Sequence, residues 1–406
     1  MANTLELGNG KWATGKDTVL AFNDENNNFK PLPFDFTRDT VATVVNKDGL
    51  IETIGSGEPR IDFSNDAKGA LLLEPIRTNR MPNSEDGSTW ALSNITLSSL
   101  SGGLNKEYYQ ITSLGNTGRF DTVKNDWINL TAGTYTASVF AKKGTTDQII
   151  LTSRANSTTQ DKYSVFNLTS GIVVSSNQVT GSIEPYSDGW YKCSITFTNS
   201  GSYTDFASFA FGFNFNSSST DTLFVASPQS EIGSYATSYI PTSGSAATRS
   251  ADSSSQTPPS GIIGQTEGTM FFEIDFANIS GVSGAWSISN GSSANRITMN
   301  TTTSSSTEFI LSVAQNYNSG STKLASTNVT YSDNHKVAIK YSATTLKLFV
   351  DGQLADSVAT DGFGNYTNFY LGGNHSGVYG GDTRKFIQAD LYNTALTDAE
   401  LQALTT

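Results

Sequence analysis

The feature that most constrains this chain is a hydrophobic pattern with period two, recurring along nearly all of its 406 residues. Tyr135–Ala141 alternates cleanly, and in Trp190–Phe197 the side chains of Tyr191, Cys193, Ile195 and Phe197 fall on one face. Phe206, Phe209, Phe211, Phe213 and Phe215 put an aromatic ring at nearly every second place. Alternation of this kind is the mark of half-buried strands, because successive side chains of a strand point to opposite faces. Gly, Asn, Asp and Ser clusters separate the runs, as turns do. In the second half, Gly268–Phe276, His335–Tyr341, Leu346–Val350 and Phe369–Gly373 read as strands, and Asp351-Gly352 predicts a two-residue hairpin. One helix is predicted, at the C-terminal end. There Thr397 and Glu400 have capping-box spacing ahead of Leu401.

The predicted fold is all-β: two tandem antiparallel β-sandwich (jelly-roll) domains preceded by an extended N-terminal anchor and arm. Residues 1–36 are too few for a core of their own and are expected to lean on a particle or another chain. Residues 37–82 hold short strand-like pieces joined by Gly and Pro, an extended arm with hairpins. Residues 83–245 form the first sandwich. Residues 246–261, rich in Ser, Thr and Pro with Pro258-Pro259 near the end, form a linker. Residues 262–406 form the second sandwich.

Charge narrows the functional classes. Charged residues make up 15% of the chain, against the ~25% usual in soluble proteins. The net charge is −12 and no Lys/Arg-rich run occurs, so the electrostatic footprint of a nucleic-acid binder is missing. No apolar run reaches the ~18 residues of a membrane span, so no membrane insertion is expected. Met1–Gly10 has neither the basic nor the apolar part of a secretory signal. Cys193 is the single cysteine, and His335 and His375 are the only histidines. An internal disulfide and a Cys- or His-rich zinc site are thereby excluded.

Two patterns carry a resemblance. The first runs through Asn46-Lys47-Asp48-Gly49-Leu50-Ile51, Pro59-Arg60-Ile61-Asp62-Phe63 and Gly69–Asn79. The second joins Gly189-Trp190-Tyr191-Lys192 to the long run Pro228–Thr242. Together they resemble a module of tailed-phage structural proteins that combines an N-terminal arm with a jelly roll like carbohydrate-binding modules. The opening Leu5–Trp12 is similar to the start of such proteins in phages of Bacteroidetes hosts, including crAss-like phages. Residues 268–406 resemble a laminin-G-like, concanavalin-type domain through Leu348–Gln353 and Ala395–Leu401. The resemblance implies a virion protein, a head or tail fibre or decoration subunit, made in the host cytoplasm without a signal peptide. It further implies anchoring to other virion proteins through the N-terminal segment, assembly as a homotrimer, and attachment to host-surface polysaccharide or glycan.

Catalytic motifs do not fit. Glu273-Ile274-Asp275 has the start of the Glu-x-Asp-x-x-Glu strand of retaining glycosidases, but Ala277 and Asn278 follow and the second glutamate is missing. No Gly-x-Ser-x-Gly elbow and no phosphate loop occur. A glycan depolymerase is therefore the weaker alternative, a purely structural virion subunit the stronger one, and no enzyme is expected. Sugar binding calls for aromatic rings beside amides and carboxylates. The candidates are Trp286, His375 and Tyr379 in the second sandwich, and Asp126, Trp127 and Tyr109 in the first. No cofactor is expected beyond calcium, for which Asp361, Asp382 and Asp390 are the candidate ligands.

Overall fold

The computed structural model describes residues 4–23, 30–104, 106–115, 121–124, 131–154, 162–199, 208–214, 217–257, 261–276, 278–279, 281–305, 307–317, 323–331, 334–360, 362, 364–373 and 382–406. They form antiparallel β-sandwiches, with one α-helix, Asp398–Thr405, among the described residues. The chain splits into two compact units. One comprises residues 1–41, 54–76 and 250–406, and the other residues 42–53 and 77–249.

The second unit is a sandwich of two six-stranded sheets. One runs Ala91–Ser93, Asp121–Lys124, Ser208–Phe213, Gln148–Arg154, Lys162–Asn167, Ile172–Asn177. The other runs Ile95–Gly103, Lys106–Ser113, Thr222–Ile232, Gly133–Lys143, Trp190–Asn199, Thr180–Pro185. The alternation read from sequence holds here. Tyr135, Ala137, Val139, Cys193, Ile195, Phe197, Phe209, Phe211 and Phe213 line the core between the sheets. Trp190, on the opposite face, packs in an outer cluster with Phe140, Ala226, Tyr239 and Ile51. Burial pushes the Cys193 thiol well above its ordinary pKa, so it behaves as a small apolar side chain.

The run Pro228–Thr242 is a polar lattice inside this unit. Glu231, fully buried, accepts from the Gln229 amide (2.8 Å), the Thr237 backbone N–H (2.8 Å) and the Thr237 hydroxyl (2.7 Å). Lys192 Nζ donates to the Thr237 carbonyl at 2.6 Å, and the Tyr239 hydroxyl meets Ser84 Oγ at 2.7 Å. Buried polar groups persist only when partnered, which is why so long a motif is spelled out residue by residue.

In the first unit Gly268–Asp275 is a central strand, paired on one side with Asn334–Ser342 and on the other with Arg384–Tyr392. Met270, Phe272 and Ile274 enter the core, together with Trp286, Ile288, Ile297 and Met299. The opposite face changes character along the strand. At one end Phe271, Ala338 and Phe349 form a row covered by Leu401 of the helix. Beyond it Glu273 lies opposite Lys336 and Gln388, and then Asp275 lies opposite Asn334 and Lys385. The expected hairpin is present, with Asp351 (φ 48°) and Gly352 (φ 80°) both left-handed, as a type I′ turn requires. The expected capping box is present too. Glu400 N–H donates to Thr397 Oγ1 at 3.3 Å, and Thr397 N–H donates to Glu400 Oε2 at 2.8 Å.

The division in space departs from the one expected along the chain. Residues 1–36 are not a separate anchor. Strand Leu5–Gly8 pairs with Arg384–Tyr392 in the register Leu5↔Leu391, and Leu5, Leu7, Val19, Phe34 and Phe36 lie buried in the core of the first unit. The arm, residues 37–82, is shared out. Residues 42–53 belong to one sandwich and 54–76 to the other, where Arg60–Asp62 pairs with Ala70–Leu73 and that strand with Arg384–Tyr392. Ile51 and Ala70–Leu73 thus find their cover within the chain, while Val41 and Ile76 stay exposed. Two stretches of the expected linker are strand: Ala247–Arg249 pairs with Arg77–Asn79, and Ser253–Gln256 with both Asn368–Leu371 and Lys30–Thr37.

A buried ionic cluster holds these distant segments of the first unit. Arg60 spans Glu74 (2.6 Å) and Asp252, and Arg38 meets the other oxygen of Asp252 at 3.1 Å, all with side chains at most 2% exposed. Burial alone would weaken the Arg60 charge, but Asp252 and Glu74 more than offset it and hold the guanidinium protonated.

Candidate functional site

Two aromatic candidates are core residues. Trp286 sits in strand Val282–Ser289, fully buried, stacked on Phe272 with ring centroids 5.0 Å apart. Ser287 and Ser289 lie on the opposite face of that strand and are buried as well, each opposite a residue of Arg296–Thr303. Tyr109 is also buried, packed on Trp90 at 4.9 Å. Its hydroxyl accepts from the Gly87 N–H (2.8 Å) and donates to the Glu85 carbonyl (3.1 Å). Burial, offset in part by the Gly87 amide, raises its pKa. Neither ring offers a face to a sugar. Asp126, Trp127, His375, Tyr379 and Asp361 lie outside the described residues.

The calcium expectation is not met by the two candidates that are described. Asp382 is fully buried, with Oδ2 bound by Arg384 Nη2 at 2.7 Å and by Thr301 Oγ1 at 3.1 Å. A guanidinium already stands where a cation would have to enter. Asp390, also buried, accepts from the Gln388 amide at 2.8 Å. Among the described residues no group of three or more His, Cys, Asp or Glu side chains is arranged to hold a metal.

The polar end of the first unit's outer sheet face makes a different site. A narrow cleft, too tight to admit a water molecule, is lined by Asp62, Asn65, Asp66, Asp275, Asn334 and Lys385, with Ala70 and Ile387 also lining it. Asp275, Asn334 and Lys385 arrive from three neighbouring strands as one cross-strand row. Asn65 and Asp66 come from the turn between Arg60–Asp62 and Ala70–Leu73, Asp62 and Ala70 from the ends of those strands, and Ile387 from Arg384–Tyr392. That turn is closed by hydrogen bonds from Gly69 N–H to the Asp66 carbonyl (3.0 Å) and from Lys68 N–H to Asp66 Oδ1 (2.7 Å). Gly69 has φ +76°, and a Cβ there would come within 2.6 Å of the Phe63 ring and 2.7 Å of Ile61, so only glycine fits.

Within the cleft Lys385 Nζ reaches Ser64 Oγ at 2.7 Å and Asp62 Oδ1 at 3.1 Å, and Ser64 donates to Asp62 from both its hydroxyl and its amide. Asn65 Nδ2 reaches Asp275 Oδ2 at 3.3 Å. Burial would raise the Asp62 pKa, but the Lys385 charge and the Ser64 donors outweigh it, and the carboxyl is held below its ordinary range. The arrangement gathers carboxylates and an ammonium group that are bonded within the site, with the exposed amides of Asn65 and Asn334 at its rim. Sequence reading singled out Asp275 only as half of a catalytic pattern and missed the rest. Asp62, Asn65 and Asp66 are more than 200 residues from Asp275 along the chain, and only the pairing of Ala70–Leu73 with Arg384–Tyr392 brings them near it.

No protein-family model matches the chain, and no curated protein matches it. Among solved structures, the CBM40 of the Ruminococcus gnavus IT-sialidase bound to alpha2,3 sialyllactose is similar at 18% identity, over 35% of this chain and 84% of that one, with a TM-score of 0.29. The SAP-like pentraxin of Limulus polyphemus is similar at 13% identity, over 35% of this chain and 70% of that one, with a TM-score of 0.29. Domains LG4-5 of the mouse laminin alpha1 chain are similar at 12% identity, over 69% of this chain and 86% of that one, with a TM-score of 0.22.

Proposed function

We propose that this chain is a non-catalytic attachment protein of a phage particle, a fibre or decoration subunit, and that its first unit binds glycan at the polar surface around the exposed amides Asn65 and Asn334, which rim the cleft between Asp62 and Asp275. The observation that carries the sugar-binding part is the convergence of carboxylates, amides and an ammonium group from four strands and one tight turn. Such a set matches vicinal hydroxyls, which must donate and accept at once. The phage part rests on the arm and jelly-roll motifs of residues 46–79 and 189–242. The non-catalytic part rests on the Glu273-Ile274-Asp275 pattern, which lacks the second glutamate of retaining glycosidases.

The test is a glycan-array screen of the full chain, followed by titration of any hit against Asn65→Ala and Asp275→Ala. Saturable binding that both substitutions weaken, in protein whose circular dichroism is unchanged, supports the site. Binding untouched by either would move the site elsewhere. A purely structural subunit is the second reading, favoured by the burial of Trp90, Trp190, Trp286 and Tyr109, which removes them as stacking platforms. It calls for no hit on the array.

A further inference from the structure

We propose that Asn290 is a site of self-modification: the Gly291 backbone nitrogen displaces its side-chain amide through a cyclic imide, leaving aspartate or isoaspartate. The site is the hairpin between Val282–Ser289 and Arg296–Thr303, where the sequence reads Ser289-Asn290-Gly291-Ser292. Asn290 and Gly291 are both exposed, so water and hydroxide reach them. Gly291 has φ +85°, and a Cβ built there meets nothing within 4 Å, so the space beside it is open.

The hydrogen bonds around Asn290 are those the reaction needs. Ser292 donates to Asn290 Oδ1 from its backbone N–H at 3.1 Å and from its hydroxyl at 2.8 Å. A side chain bonded to the second residue ahead folds forward over its own peptide, which turns Cγ toward the Gly291 nitrogen. The same donors polarise the Asn290 carbonyl and stand where negative charge collects on Oδ1 in the tetrahedral intermediate. The Gly291 N–H points at Ser289 Oγ, 3.1 Å away. Solvent hydroxide takes that proton and the nitrogen adds to Cγ. The bond from Cγ to the side-chain nitrogen then breaks and ammonia leaves. Water opens the imide at one of its carbonyls, and the route to aspartate or isoaspartate depends on which. Either product adds a negative charge. Isoaspartate also carries the main chain through its side-chain methylene, next to the bond from Asn290 N–H to the Asn295 carbonyl (3.2 Å) that closes the hairpin.

The chain's other Asn-Gly pair, Asn9-Gly10, is the internal reference. Asn9 Oδ1 accepts from Lys68 Nζ at 3.0 Å, so its side chain is drawn to another turn of the chain. The experiment incubates the full chain at mildly alkaline pH and maps its peptides by mass spectrometry at intervals, with enzymatic methylation of isoaspartate to separate the two products. Asn290 should convert to a mixture of both, faster than Asn9, at a rate that rises with pH. Ser292→Ala keeps the backbone donor and loses the hydroxyl. It should slow conversion by about two- to tenfold, the worth of one ordinary hydrogen bond. The comparison of Asn290 with Asn9 stands on the unaltered chain even if that variant fails to fold. Asn290 persisting as the amide would overturn the proposal. Equal rates at Asn9 and Asn290, or an unchanged rate in folded Ser292→Ala, would overturn the assistance assigned to Ser292.

Discussion

Removing the Phe34 side chain tests whether the N-terminal strands belong to the first sandwich. Phe34 is fully buried, opposite Val19 across the strand pair and edge-on to Phe369 with centroids 5.6 Å apart. Phe→Ala at such a site costs about 3–5 kcal/mol, from lost transfer energy and the cavity left behind. Asp35, the next residue, is exposed on the other face, and Asp35→Ala should stay within about 0.5 kcal/mol. Deleting residues 1–36 removes, among the described residues, the five core side chains Leu5, Leu7, Val19, Phe34 and Phe36. At about 1.5–3 kcal/mol each, that is roughly 8–15 kcal/mol, the whole stability of an ordinary domain. The assay is urea unfolding followed by hydrogen exchange resolved to peptides, reading Arg384–Tyr392 for the first unit and Gly133–Lys143 for the second. The substitution should lower protection in the first unit and leave the second unchanged, and the deletion should abolish protection in the first. If the truncated chain kept full protection over Arg384–Tyr392, the N-terminal strands would be a detachable arm and the packing argument would fail.

Two further outcomes follow from the charged groups of the first unit. Arg60→Met should destabilise it by about 3–5 kcal/mol in urea unfolding, because Glu74 and Asp252 would lose a buried counter-charge; an unchanged midpoint would mean the cluster is not buried as described. Asp62 has a folded-state pKa below its unfolded value, so its contribution is present above the ordinary carboxylate pKa of about 3.9 and is lost as pH falls through the folded value. Thermal unfolding between pH 5 and pH 2 should therefore show a steeper acid loss for the native chain than for Asp62→Asn; parallel curves would remove Asp62 as a source of that slope.

What the sequence disclosed, and what it hid, follows from the range of the physics involved. Alternation is local, so the faces of Trp190–Phe197 and the core rings Phe209, Phe211 and Phe213 could be read directly. The Asp351-Gly352 turn and the Thr397–Glu400 cap were legible for the same reason, since each is settled within four residues. Trp286 shows where local reading misleads: serines beside a tryptophan suggest a polar, accessible ring, although Trp286, Ser287 and Ser289 are all fully buried. Segments too small for a core of their own were the deeper difficulty. Residues 1–36 and 37–82 cannot bury their apolar side chains alone, and composition cannot say whether the missing surface is another chain or a strand 380 residues away. The register Leu5↔Leu391 answers that, and the cleft depends on the same kind of long-range closure. Once Ala70–Leu73 pairs with Arg384–Tyr392, the Asp62–Asp66 turn has to lie beside the Asp275 row. The candidate site is therefore a consequence of how the chain closes its sheet, and a change that opens that closure should break up the site and lower stability together.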